Sequence, residues 1–263
     1  MASLPLTFVT ISPKAKHTAT VILAHGLGDN GLDFSNNKEM RTIASQLPHI
    51  KWVFPSAPER FITAWKGDSR RQGLTRGWLD FLREPLTYSS EYEDIQEYDE
   101  GIMQSVKLLD AFIQSEIDSG IPEGRIVLGG FSQGGAISLI TGLGGSQWRG
   151  ASDTKLDGWK LGGVVCLGGW LPMREKYKKR LSTHASTIPV FWGHGVQDES
   201  VTWGLSWESA EFIGDKVDVR YGQYTKMGEP GVSFMSYGVG HWMVESEMED
   251  LRLFLKKVLP LEG

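Results

Sequence analysis

The apolar positions of this chain fall into two alternating rhythms. Short unbroken apolar runs occur at residues 20–24 (Thr-Val-Ile-Leu-Ala), 51–54, 126–128, 163–167 and 188–192. Runs of that length without polar alternation read as strands covered on both faces. Between them lie longer segments with apolar residues three to four apart. Residues 92–119 carry Ile95, Tyr98, Ile102, Val106, Leu109 and Ile113, one face of an amphipathic helix that Gly120 and Pro122 end. Residues 32–47, 203–213 and 243–258 read as further helices, the first and last followed by Pro48 and Pro260. Residues 217–221 alternate as one more strand.

Strands alternating with helices predict an α/β protein with a mainly parallel sheet and helices on both faces. No repeat or linker divides the chain, so residues 1–263 are expected to form a single domain. Three stretches break the rhythm. Residues 61–90 form a long irregular segment with Gly67, Gly73, Gly77 and Pro85. Residues 142–161 are glycine-rich and polar, and 226–231 is a turn cluster. Long loops in a compact domain tend to cover functional sites or to be disordered.

Composition narrows the classes. The chain is 40% hydrophobic and 22% charged with a net charge of −5, ordinary for a globular protein. Nothing in it supplies the basic footprint that nucleic-acid binding requires. The short basic run from Lys176 to Arg180 is expected to be a solvated surface. The one cysteine, Cys166, lies in an apolar run, so it is read as a buried strand residue of a protein in a reducing compartment, the cytoplasm. No secretory signal, membrane span or lipidation motif is visible, and no stable membrane anchor is expected.

The chemistry concentrates in Gly130-Phe-Ser-Gln-Gly134, a G-x-S-x-G pattern between the strand at 126–128 and a helix-like segment at 136–141. A serine on a tight strand-to-helix turn projects its hydroxyl from the sheet edge. That hydroxyl needs an imidazole base and a carboxylate to orient it, in the chain order serine, acid, histidine. After Ser132 come His184, His194 and His241. His241 stands in Gly238-Val-Gly-His-Trp242, ahead of the last helix, and is the expected base; His194 ends a strand before the acid, and His184 has no strand before it. Asp198, just past the strand at 188–192, is the expected acid, with its neighbour Glu199 as the rival.

An oxyanion hole needs two backbone N–H groups. Gln133, after the nucleophile, supplies one, and Leu27 in the glycine loop His25-Gly-Leu-Gly-Asp-Asn-Gly31 supplies the other. The same loop could be an ordinary turn, and it lacks the lysine of a phosphate loop. No metal-ligand spacing and no dinucleotide fingerprint is found, so no metal and no cofactor is expected. Most of the ten tryptophans are expected to pack, but Trp170 and Trp242 should sit near strand ends and line an acyl pocket.

These pieces resemble the acyl-protein thioesterase / phospholipase–carboxylesterase family of α/β-hydrolases. The resemblance rests on His25-Gly-Leu-Gly-Asp29, the run from Gly120 through Gly-Phe-Ser-Gln-Gly-Gly-Ala136, Gly169-Trp-Leu-Pro172, His194-Gly-Val-Gln-Asp198 and Gly240-His241, and so spans the chain. It implies a serine hydrolase of esters and thioesters, acting on S-acylated proteins, lysophospholipids or small carboxylic esters. It carries the triad onto Ser132, Asp198 and His241, and the oxyanion donors onto Leu27 and Gln133. Trp78, in Trp78-Leu-Asp80 where the family has Trp-Phe-Asp, joins the expected substrate-binding tryptophans. The chain also departs from the family pattern in a longer loop at 61–77, in residues 144–161, which look like an insertion, and in Glu199-Ser-Val201. A small-ester carboxylesterase with a specialised substrate and a non-catalytic hydrolase-fold binding module are the alternatives. A homodimer stays open.

Overall fold

The computed structural model describes residues 7–71, 73–81, 86, 96–144, 157–178, 180–216 and 226–261. Seven strands form its main sheet: β1 (Phe8–Ile11), β2 (Ala19–Ala24), β3 (Ile50–Pro55), β6 (Ile126–Phe131), β7 (Gly163–Leu167), β8 (Pro189–Gly195) and β9 (Gly231–Tyr237). Their order is β1-β3-β2-β6-β7-β8-β9, all parallel except for β1, which runs antiparallel to β3. Two short strands, β4 (Glu59–Arg60) and β5 (Thr75–Arg76), pair as a separate antiparallel ribbon.

The continuous apolar strands are buried for the reason their pattern gave. Every residue of β2 and β7 is inaccessible, because helices cover both faces. On one face Ile22, Leu128 and Val164 pack with α3 (Gln96–Asp118), α4 (Gln133–Leu143) and α6 (Trp203–Lys216). On the other, Val21, Leu23, Val127 and Val165 pack with α1 (Gly31–Asn36), α2 (Lys38–Gln46) and α7 (Glu245–Val258). A short helix, α5 (Arg174–Lys178), lies between β7 and β8 in the chain. The stripe Ile102, Val106, Leu109 and Ile113 on α3 is buried as its spacing predicts.

Three differences from the sequence reading have local causes. The helix expected over 32–47 is two helices, because Asn37 leaves the helical region and its side chain caps α2 by accepting from the Glu39 and Met40 N–H groups. Asn30 does the same for α1. Strands β1 and β9 were not expected. The first is an edge strand, half exposed along its length, and β9 mixes serine with apolar residues behind the turn cluster at 226–231. The strand expected at 217–221 lies outside the described residues, as do parts of the irregular stretches 61–90 and 142–161.

In a parallel sheet the loops leaving the carboxyl ends of the strands gather at one edge. Those after β2, β6, β8 and β9 carry Leu27, Ser132, Asp198 and His241. Among the described residues no helix is long and apolar enough to cross a membrane.

Candidate active site

Ser132 lies between the end of β6 and the start of α4 with φ 55° and ψ −121°. A non-glycine residue there stores about 1–3 kcal/mol of backbone strain, held by its surroundings. Its N–H donates to Leu167 O at 2.7 Å, and its carbonyl accepts from Ala136 N at 3.0 Å. The flanking glycines are required by close approach: a Cβ on Gly130 or Gly134 would collide with the Ala24 carbonyl. All of α4 is buried behind the turn, so the serine sits on a rigid support.

The His241 Nε2 lies 2.9 Å from Ser132 Oγ, and its Nδ1 lies 2.6 Å from Asp198 Oδ2. A carboxylate only accepts, so Nδ1 carries the hydrogen and Nε2 presents its lone pair to the serine hydroxyl. Phe131 packs its ring against the imidazole, 4.9 Å between centroids. The other carboxylate oxygen of Asp198 accepts from the Ser200 and Val201 N–H groups, both at 2.9 Å. Burial alone would push the Asp198 carboxyl up; the His241 hydrogen bond and charge, the Val201 N–H and His194 outweigh it and hold the carboxyl below the ordinary aspartate value. Its rival Glu199 is exposed.

His194 is fully buried in β8 and behaves differently from a base. Its Nε2–H donates to Val201 O at 2.9 Å and lies 3.5 Å from Asp198 Oδ2. Burial holds its pKa below the usual histidine value. It therefore supports the acid loop from beneath. His184 precedes a single 3-10 turn, Ala185–Thr187. Cys166 is buried in β7, where burial pushes its thiol up and away from nucleophilic use.

Leu27 and Gln133 border a cavity of about 270 Å³ with Ser132 and His241 on its wall. Phe81, Leu86, Phe131, Trp170 and Val201 give it an apolar lining. Of the three tryptophans expected at an acyl pocket, Trp170 lines this cavity. Trp78 does not: it is fully buried, donates its indole N–H to His25 O at 2.8 Å, and packs against the His25 ring. Trp242 does not either, since it is 60% exposed on the surface beside His241. Sequence reasoning missed Leu86, whose N–H donates to Ser200 O at 3.1 Å and which forms an isolated parallel bridge with Val201 of the acid loop. No local pattern marks such a contact.

A serine on a strained strand-to-helix turn, with an acid and a histidine arriving from later strands of a parallel sheet, defines the α/β-hydrolase class. The chain belongs to the phospholipase/carboxylesterase family, whose model matches residues 6–259. It is 40% identical to acyl-protein thioesterase 1 of Cryptococcus neoformans over 257 residues, covering 97% of this chain and 98% of that one. Acyl-protein thioesterase 1 of Saccharomyces cerevisiae is 31% identical over 243 residues, covering 91% and 92%. Among solved structures, acyl-protein thioesterase 2 of Zea mays superposes with a TM-score of 0.71 at 27% identity, covering 96% of this chain and 99% of that one.

Proposed function

We propose that this protein is a serine hydrolase that cleaves acyl esters and thioesters through an acyl-enzyme, with Ser132 as nucleophile, His241 as base and Asp198 as the acid that orients it. The observation that carries the proposal is the continuous hydrogen-bonded line from Ser132 Oγ through His241 to Asp198. Ser132 Oγ attacks the acyl carbonyl carbon as its proton passes to His241 Nε2. The carbonyl oxygen becomes an oxyanion that accepts from the Leu27 and Gln133 N–H groups. The imidazolium, held by Asp198, then protonates the departing alcohol or thiol. Water, deprotonated by His241, attacks the acyl-serine and releases the acid in the second half-reaction.

Family membership and relatives named acyl-protein thioesterase support S-acylated proteins as the substrate class, with lysophospholipids as a related one. A single cysteine that is buried in a strand needs no oxidising compartment, and we assign the protein to the cytoplasm on that ground. A second reading, a carboxylesterase for small esters, is favoured by the size of the cavity, about 270 Å³, just under the usual range of ligand pockets.

Ser132→Ala should lower hydrolysis of p-nitrophenyl acyl esters by on the order of 10³-fold or more. Wild-type turnover in that variant would overturn the proposal and leave a binding module as the reading. A matched series of esters and thioesters from acetyl to palmitoyl separates the two substrate classes: preference for long acyl thioesters supports the thioesterase, and preference for acetyl or butyryl esters the small-ester enzyme.

A further inference from the structure

The side chain of Gln133 is engaged in a way the hydrolytic reading does not use. Its backbone N–H is assigned above to the oxyanion, while its carboxamide is bonded elsewhere and the residue is only 2% exposed. The Oε1 accepts from Trp78 N at 2.9 Å and lies 3.5 Å from Leu79 N, while Nε2 donates to Leu79 O at 3.0 Å. The carboxamide thus satisfies the backbone of two buried residues as a neighbouring strand would.

The segment held in this way lies on the glycine loop that carries Leu27. Gly28 N–H donates to Arg76 O at 2.8 Å, and the Trp78 indole N–H donates to His25 O at 2.8 Å. Between these two ties, a Cβ at Gly77 would stand 3.0 Å from Leu27 Cδ1 and 3.1 Å from Gln133 Oε1, tighter than ordinary contact. The loop is fixed from its other side as well. His25 donates from Nδ1 to Gly26 O at 2.6 Å and accepts at Nε2 from Ala57 N–H at 3.0 Å. Residues 76–79 therefore form a bar with Leu27 on one side and the Gln133 carboxamide on the other.

We propose that Gln133 is a positioning residue for the oxyanion hole: its carboxamide, acting through residues 76–79, fixes the distance between the Leu27 N–H and its own backbone N–H. This rests on the reading of Ser132 as the nucleophile of a hydrolase. Two donors must converge on one developing charge, and a misplacement on the order of 1 Å weakens that stabilisation steeply. Tying both donors to a single side chain removes their relative freedom before substrate binds.

The test uses the full chain and three variants. Ser132→Ala comes first. If esterase activity survives it, the nucleophile reading fails, whatever Gln133 does. If activity is lost, Gln133→Leu is compared with wild type. We expect kcat/KM to fall about 10- to 100-fold with KM nearly unchanged. Affinity for an acyl trifluoromethyl ketone, whose hemiketal oxygen occupies the oxyanion position, should fall by a similar factor. A folded Gln133→Leu enzyme with wild-type kcat/KM and wild-type affinity for the ketone overturns the inference alone. Should that variant fail to fold, Gln133→Glu decides. A protonated glutamate can donate to Leu79 O and accept from Trp78 N–H, whereas the carboxylate faces the Leu79 carbonyl with no hydrogen to give. Its activity relative to wild type should therefore rise as the pH is lowered, and a flat ratio across pH overturns the inference.

Discussion

Asp198 meets His241 with one carboxylate oxygen, at 2.6 Å, and spends the other on the Ser200 and Val201 N–H groups. The acid is thus fixed by its own loop before it orients the imidazole. Glu199 next to it is exposed. In Asp198→Asn the amide still fits the loop but leaves the imidazole without an ionic partner and disturbs its tautomer. We expect kcat to fall by on the order of 10³- to 10⁴-fold. Glu199→Gln should stay within about twofold of wild type, as expected for an exposed side chain. Steady-state kinetics on the pair checks the assignment, and a larger loss in Glu199→Gln would transfer the role to the glutamate.

His194 supports that loop from the core. Its Nε2–H reaches the carbonyl of Val201, a residue with no exposure. His194→Leu leaves this carbonyl buried without a donor, a defect worth about 1–3 kcal/mol. A lower Tm together with a reduced kcat is expected, since Asp198 draws a hydrogen bond from the Val201 N–H. A variant with the wild-type Tm and kcat would show that the loop holds its geometry without the histidine.

These residues also mark how far the chain could be read before it was folded. The G-x-S-x-G turn and the apolar strands are local signals, and the strands stand where their pattern put them in the sheet; the expected order brings Ser132 and Asp198 each within hydrogen-bond distance of His241. What stayed hidden depends on residues distant in sequence. The Gln133 carboxamide meets Trp78 and Leu79, 55 and 54 positions away, and nothing near either partner announces the contact. Trp78 reads equally as a pocket wall or as a brace until its indole N–H is seen on His25 O. Strand β9 was obscured because Ser233 and Ser236 interrupt its apolar run, although Ser233 is buried and Ser236 accepts from the Trp203 indole at 2.9 Å.

Among the described residues Trp170 is the one tryptophan on the wall of the cavity beside Ser132, and it is 5% exposed. Its indole limits the space open to an acyl chain. Trp170→Leu keeps an apolar wall and enlarges the cavity. The kcat/KM for octanoyl and longer p-nitrophenyl esters should rise relative to the butyryl ester, by about 15- to 60-fold where two or three extra methylenes are accommodated at about 0.8 kcal/mol each. A chain-length profile parallel to that of wild type would exclude Trp170 from the acyl site.

Glu247 supplies a prediction of pH dependence away from the chemistry. It lies in the first turn of α7, is 3% exposed, and has its carboxyl pushed up to about 8. Burial is the main cause; a hydrogen bond from the Val244 N–H opposes it, and the charge of Asp250 adds to it. In the unfolded chain the group returns to its ordinary value of 4.5. Between these values the folded protein holds a proton that the unfolded chain has lost, so stability from this group is complete below 4.5 and drains away as the pH rises to about 8. At about 1.4 kcal/mol per unit, the swing amounts to a few kcal/mol. Gln at this position has no proton to lose and its amide oxygen can still accept from Val244. Glu247→Gln should therefore match wild type near pH 5 and exceed it in Tm near pH 8.5. Thermal denaturation of both proteins across that range tests this, and an identical fall in Tm with pH for the two would show that Glu247 is ionised within the fold.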